Sequence, residues 1–133
     1  MCYKSFQVML KTIVYIAIGG ALGSVLRFLT SILVNKYWQS IFPMATFLVN
    51  IVGCFLIGFI ISFFHKQNLL NSDLKWFLIT GFCGGFTTFS AFGLENVRLL
   101  ENQNLGLSLL YVLTSVIVGI GFVWIGMLTG KAI

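Results

Sequence analysis

Gly84-Gly85-Phe86-Thr87-Thr88-Phe89-Ser90-Ala91-Phe92, closed off by Glu95, sets glycines, three hydroxyls and a carboxylate inside an otherwise apolar stretch. In hydrocarbon every backbone N–H and C=O must find a partner, and a Gly-Gly-x-Thr-Thr run favours loosening of the helix at that point. The segment is therefore expected to break a membrane helix near its middle and to face protein or water rather than lipid. Such interruptions at membrane depth mark sites for ions or small polar substrates.

Working outward, the setting is a membrane. Of 133 residues, 59% are hydrophobic and only 8% charged, with a mean hydropathy of +1.02, more apolar surface than a soluble domain of this size can hide. Four apolar stretches, at about 12–34, 43–64, 74–100 and 105–130, are each near or above the ~20 residues that cross a bilayer as a helix. The expectation is one all-α transmembrane domain over 1–133, with nothing left for a soluble domain. The first stretch follows Lys4 and Lys11 as a signal peptide would, but it runs on past Arg27 without a small-residue cleavage site and reads as a retained span. The polar connections are residues 35–40, 65–73 and 101–104. Pro43, the only proline, stands where the second span starts, a position that loses nothing by lacking an N–H.

Several functions are set aside by what the chain does not contain. Cys2, Cys54 and Cys83 form no close pair, His65 lies in a loop, and there is neither metal-ligand spacing nor a nucleotide-binding loop. Enzyme chemistry is not expected. The net charge of +5 sits mostly at span ends, where Lys and Arg serve topology and head groups rather than nucleic acid. Lys4, Lys11, Lys66, Lys75 and Lys131 fall on the side of the termini, against Lys36 and Arg98 on the other, a bias that favours cytoplasmic termini but is small enough to permit both orientations. With no internal repeat, a two-fold related pore would need two chains, and opposite insertion would put the axis in the membrane plane.

The polar residues within the spans carry the functional reading. Arg27 either snorkels to the near surface or supplies a fixed positive charge at a pore vestibule; the second is preferred. Gly19 and Gly23 have the spacing of close helix contacts, and Gly53 and Gly58 read the same way. Asn50, alone among apolar neighbours, is either glue between helices or a neutral donor to an anion. Neutral donors suit conduction because a full charge would release an anion too slowly. Ser108, Tyr111 and Ser115 make one polar stripe on the fourth span, through packing or along a narrow aqueous path. Phe89 and Phe92 share a helix face after the break, where positive ring edges can lean on a small anion beside the Thr88 and Ser90 hydroxyls. At the break itself, carbonyls such as those of Gly84 and Thr87 lose their helical donors and can hold a hard monovalent cation, about four such ligands across a two-fold axis. Glu95 has three readings: electrostatic support of the site, a local cap, or a pair with Arg98.

These motifs resemble the CrcB/Fluc family of small bacterial fluoride channels. The likeness runs through Gly19-Gly20-Ala21-Leu22-Gly23-x-x-x-Arg27, Thr46-x-x-x-Asn50-x-x-Gly53, the Gly84–Glu95 block and Tyr111-x-x-x-Ser115, covering nearly the whole chain. The span 3 block is the specific one. The resemblance implies a dual-topology dimer, two chains inserted antiparallel with two fluoride pathways along their interface. By motif match Phe89 and Phe92 look like the fluoride-contacting phenylalanines, Asn50 like the pore amide, and Tyr111 and Ser115 like the polar track. Gly84 and Thr87 match positions whose carbonyls hold a structural sodium ion at the dimer centre, and Arg27 matches a vestibule arginine. Ala91 and Cys54 depart from the family's common Thr and Ser, so no role for those hydroxyls carries over. Some members pair non-identical subunits; a homodimer is the first choice.

The function so implied is passive, selective export of fluoride across the bacterial plasma membrane, protecting the cell from its toxicity. The rival is a proton-coupled exporter of the small multidrug type, which wants a membrane carboxylate early in the chain. Spans 1, 2 and 4 hold no Asp or Glu.

Overall fold

The computed structural model describes residues 2–133, with side chains from Phe6 onward, so that the side chains of Cys2 and Lys4, weighed above, lie outside the described residues. Every regular element among the described residues is helical. Four helical stretches are long and apolar enough to cross a membrane: Phe6–Tyr37, Met44–Lys66, Trp76–Glu101 and Leu105–Ala132.

The first helix, α1 (Cys2–Tyr37), starts well before the apolar run, because isolated lysines at positions 4 and 11 do not stop a helix as a proline or glycine would. Its 36 residues amount to ~54 Å of helix, far more than a hydrocarbon core needs. Lys11 forms an ion pair with Asp73 of the connection before the third span, tying the two segments together. Helix α2 (Met44–Lys66) begins directly after Pro43, whose carbonyl takes the Phe47 N–H at 3.1 Å. Residues 67–75 turn the chain, with Asn68 at a φ of 56°, a left-handed conformation that asparagine tolerates.

The third span is the irregular one. Trp76–Cys83 is wound as a π-helix and continues as Gly84–Phe86; together they are α3 (76–86). The Gly84 N–H reaches back to the Ile79 carbonyl, the five-residue reach of that winding. Thr87 (ψ 161°) and Thr88 (φ −150°, ψ 122°) are extended, so the span bends there before α4 (Phe89–Glu101). Thr88 caps α4, its Oγ1 accepting the Ala91 N–H at 3.3 Å. The connection to α5 (Leu105–Ala132) is closed by the Asn104 N–H on the Leu99 carbonyl at 2.8 Å.

Two helix pairs carry the packing, α1 with α3 and α2 with α5. Both are built on glycine contacts. A β-carbon on Gly19 or Gly23 would run into the Phe77 or Phe82 carbonyl of α3, and one on Gly58 or Gly126 would meet the Val123 or Phe55 carbonyl across the α2–α5 seam. Lipid offers no hydrophobic gain for bringing two apolar helices together, so close backbone approach and dispersion supply the attraction. Gly53 does something else: it leaves room for the Thr87 methyl, which seats the bend against α2.

Candidate functional site

The bend is held by one side chain. Asn50 on α2 accepts the Thr88 N–H at 2.8 Å through Oδ1 and donates Nδ2 to the Thr88 carbonyl at 3.0 Å. The amide thus pairs with both backbone groups of one extended residue, as a neighbouring β-strand would. Its second N–H stays uncommitted among the bonds of the described residues. The Thr87 hydroxyl and N–H both return to the Cys83 carbonyl, at 2.9 and 3.0 Å.

Thr88 stands between two recesses. On one side is an open groove of about 570 Å³ whose walls include Asn50, Cys54, Gly84, Thr87 and Phe89. Phe89 is 83% exposed there, an unusual position for the first residue of an interior helix. On the other side is a cavity of about 290 Å³ lined by Ser24, Arg27, Ser31, Thr46, Thr88 and Ala91 among others. Arg27 donates Nη1 to the Thr87 carbonyl at 3.4 Å, so the guanidinium reaches the bend. Ser90 lies beside Thr88, hydroxyl to hydroxyl at 3.2 Å.

A second cluster lies behind the first. Glu95 accepts from Thr46 Oγ1 at 2.6 Å and from the Tyr111 hydroxyl at 2.9 Å. Tyr111 has no exposed surface; its ring meets Phe42 edge-on at 5.2 Å and Phe92 at 4.9 Å between centroids. Phe92 in turn lies 5.8 Å from Phe89. An aromatic series therefore leads from the open groove to the carboxylate. Further along α5, Ser108 donates to Asn96 Oδ1 at 2.9 Å, and the buried Ser115 Oγ has no hydrogen-bond partner among the described residues.

The structure thus groups Gly84, Thr87, Thr88, Phe89 and Asn50 around the groove, Arg27 across Thr88 from it, and Phe92 and Tyr111 with Glu95 in the interior. Ser115 joins neither group by a bond. Of the three readings of Glu95, pairing with Arg98 is not what forms: the carboxylate accepts from two hydroxyls on other helices, and an ion pair with an exposed arginine is worth little by comparison. Sequence reasoning named Thr46 only as part of the span 2 motif, without a role, and passed over Asn96. Thr46 lies four residues before Asn50 on α2, a spacing that puts both on one helix face and was the available signal.

Comparison with known proteins identifies the family. A family model described as CrcB-like protein, Camphor Resistance (CrcB), matches residues 14–127. A Flavobacterium psychrophilum protein named fluoride-specific ion channel FluC is 52% identical over 122 residues, 92% of this chain and 98% of its own length. Proteins of the same name from Azobacteroides pseudotrichonymphae and Bacteroides fragilis are 48% identical over 118 residues and 46% identical over 114, covering 89% and 84% of this chain and 94% and 89% of theirs. With a match of that extent, the chain belongs to the CrcB family.

Proposed function

We propose that this chain is a subunit of a fluoride-selective channel that lets cytoplasmic fluoride leave passively and so protects the cell. It is a multi-pass protein of the bacterial plasma membrane, and relatives at up to 52% identity carry the name fluoride-specific ion channel. The observation that carries the site assignment is the Asn50 clamp on Thr88, which holds the bend open and presents Phe89 on a groove. Glu95, in the third span, is already satisfied by two hydroxyls, an arrangement unsuited to the substrate-exchanging acid of a multidrug exporter.

The functional unit is an antiparallel dimer. A phenylalanine with 83% of its surface uncovered beside a groove of about 570 Å³ supports a second copy seated on this face. Phe89, Phe92, Thr88, Ser90 and Asn50 then line the fluoride path, with Tyr111 and Ser115 as its polar continuation and Arg27 drawing anions into the adjoining cavity. Fluoride is small and strongly hydrated, so removing its water takes several neutral donors in sequence. The uncommitted Asn50 N–H, the Ser115 hydroxyl and the ring edges are the groups free to act. The Tyr111 proton is engaged by Glu95 and is released to an anion only as that bond gives way.

The backbone oxygens at the bend suit a sodium ion. In a continued helix the Thr88 N–H would go to the Gly84 carbonyl; here Asn50 takes it, which frees that carbonyl beside the groove. The Thr87 carbonyl keeps a lone pair beyond its long contact with Arg27. Neutral backbone oxygens are the donor set of a hard monovalent cation. Gly84 and Thr87 of two copies would hold it, and its contribution is charge that locks the two bends together.

The test is direct. Protein purified from this chain alone and placed in liposomes should release fluoride, read with a fluoride electrode, and retain chloride. Equal release of both ions would refute the selectivity, and no release would refute the homodimer.

A further inference from the structure

Away from the bend, the ends of α2 and α5 enclose a third recess of about 520 Å³ lined by Ile61, Ser62, His65, Lys66, Met127 and Lys131. Its composition changes with depth. Ile61 and Met127 form a partly exposed apolar floor, while Lys66 and Lys131 stand at the rim in the last turns of their helices. The Lys66 Nζ donates to the Lys131 carbonyl at 3.1 Å, which gathers the two cationic residues from separate helices onto one spot. No carboxylate side chain opposes them. The chain has three: Asp73 pairs with Lys11, Glu95 is bound in the interior, and Glu101 closes α4 at the opposite end of the molecule. Among the described residues Lys11–Asp73 is the ion pair that forms, so both rim lysines are without an acidic partner.

An apolar floor open to acyl chains under an unopposed cationic rim, at the level where spans end, is complementary to a lipid with a net negative head group. We infer that this recess is a binding site for an anionic phospholipid, with its phosphate on Lys66 and Lys131 and the first carbons of its chains along Ile61 and Met127. A soluble anion would gain nothing from the apolar floor, and a zwitterionic lipid would bring its own cation to the lysines. Basic recesses between membrane helices recognise lipids by these same two terms. The inference requires only the membrane setting and stands apart from the conduction reading.

Native mass spectrometry of the intact channel, released from micelles doped with equal phosphatidylglycerol and phosphatidylcholine, tests it. The wild-type protein should retain phosphatidylglycerol in excess, and equal retention of the two lipids overturns the inference without any variant. Lys66→Gln with Lys131→Gln should reduce the excess by roughly fivefold for each lysine removed. Lys36→Gln with Lys75→Gln removes the same charge where the lysines lie over Tyr37 and Trp76 instead, and should leave the excess unchanged. A preference that survives the first pair, or falls equally with the second, overturns the site. A thermal melt of the first pair that matches the wild type shows that the protein is folded when lipid retention is lost.

Discussion

Replacing Asn50 by alanine removes two hydrogen bonds at once and leaves both backbone groups of Thr88 without partners inside the membrane. A fully buried unsatisfied donor or acceptor costs about 1–3 kcal/mol, so the variant should be less stable by at most roughly 2–6 kcal/mol, toward the lower end because Thr88 is only part-buried. The spread is set by how far Thr87 and Thr88 can rewind toward helix and repair the loss locally. Asn50→Asp keeps the acceptor for the Thr88 N–H but turns a carboxylate oxygen toward the Thr88 carbonyl, and should fare no better than alanine. Thr114→Val serves as the comparison, because that hydroxyl bonds only to the Leu110 and Tyr111 carbonyls of its own helix; its cost should stay within about 0.5 kcal/mol. Reversible unfolding in mixed micelles gives the stabilities, and fluoride release from liposomes gives the functional consequence. If Asn50→Ala unfolds with wild-type stability yet no longer conducts, Asn50 acts on the ion alone and the clamp reasoning is wrong.

Tyr111→Phe keeps the ring contacts with Phe42 and Phe92 but strips one donor from Glu95, a charge-assisted bond worth about 1.5–3 kcal/mol; thermal melting should fall accordingly, and an unchanged melt would show that the carboxylate is held elsewhere. Phe89→Ala should leave the subunit fold intact, since the ring is 83% exposed, while slowing fluoride release by about tenfold, the equivalent of one lost aromatic contact; wild-type release would remove Phe89 from the path. Gly23→Val drives its β-carbon into the Phe82 carbonyl and should cost at least about 1–3 kcal/mol, read as loss of folded protein in the membrane fraction, whereas Gly121→Ala, with open space around it, should be silent.

The membrane architecture was legible because apolar runs of span length and the single proline are long-range features that tertiary contacts do not overturn. Pro43 does precede α2, and Gly19 and Gly23 do meet another helix, since small-residue spacing has few other uses in lipid. The extent of α1 was not legible: charges at Lys4 and Lys11 mark a membrane boundary but not a helix boundary, and the helix runs through both. Partner choice was the larger gap. Glu95 and Arg98 are neighbours on one helix, which made them a pair on paper, but Thr46 and Tyr111 come to Glu95 from two other helices, and only the packed fold brings them there. Asn50 had been read as glue or as an ion donor; its geometry serves the first directly and leaves one N–H for the second.

The π-wound turn of Trp76–Cys83 also sets a constraint on how this gene can change length. That winding carries a surplus residue relative to an α-helix. Losing one codon there would let the segment relax to ordinary helix with the residues after it close to their present phase, whereas one codon lost from a regular stretch such as Phe89–Glu101 would rotate everything after it by about 100°. Single-residue deletions that survive should therefore fall in the π-wound segment itself, or in the turns at residues 67–73 and 102–104, and not in the regular helices.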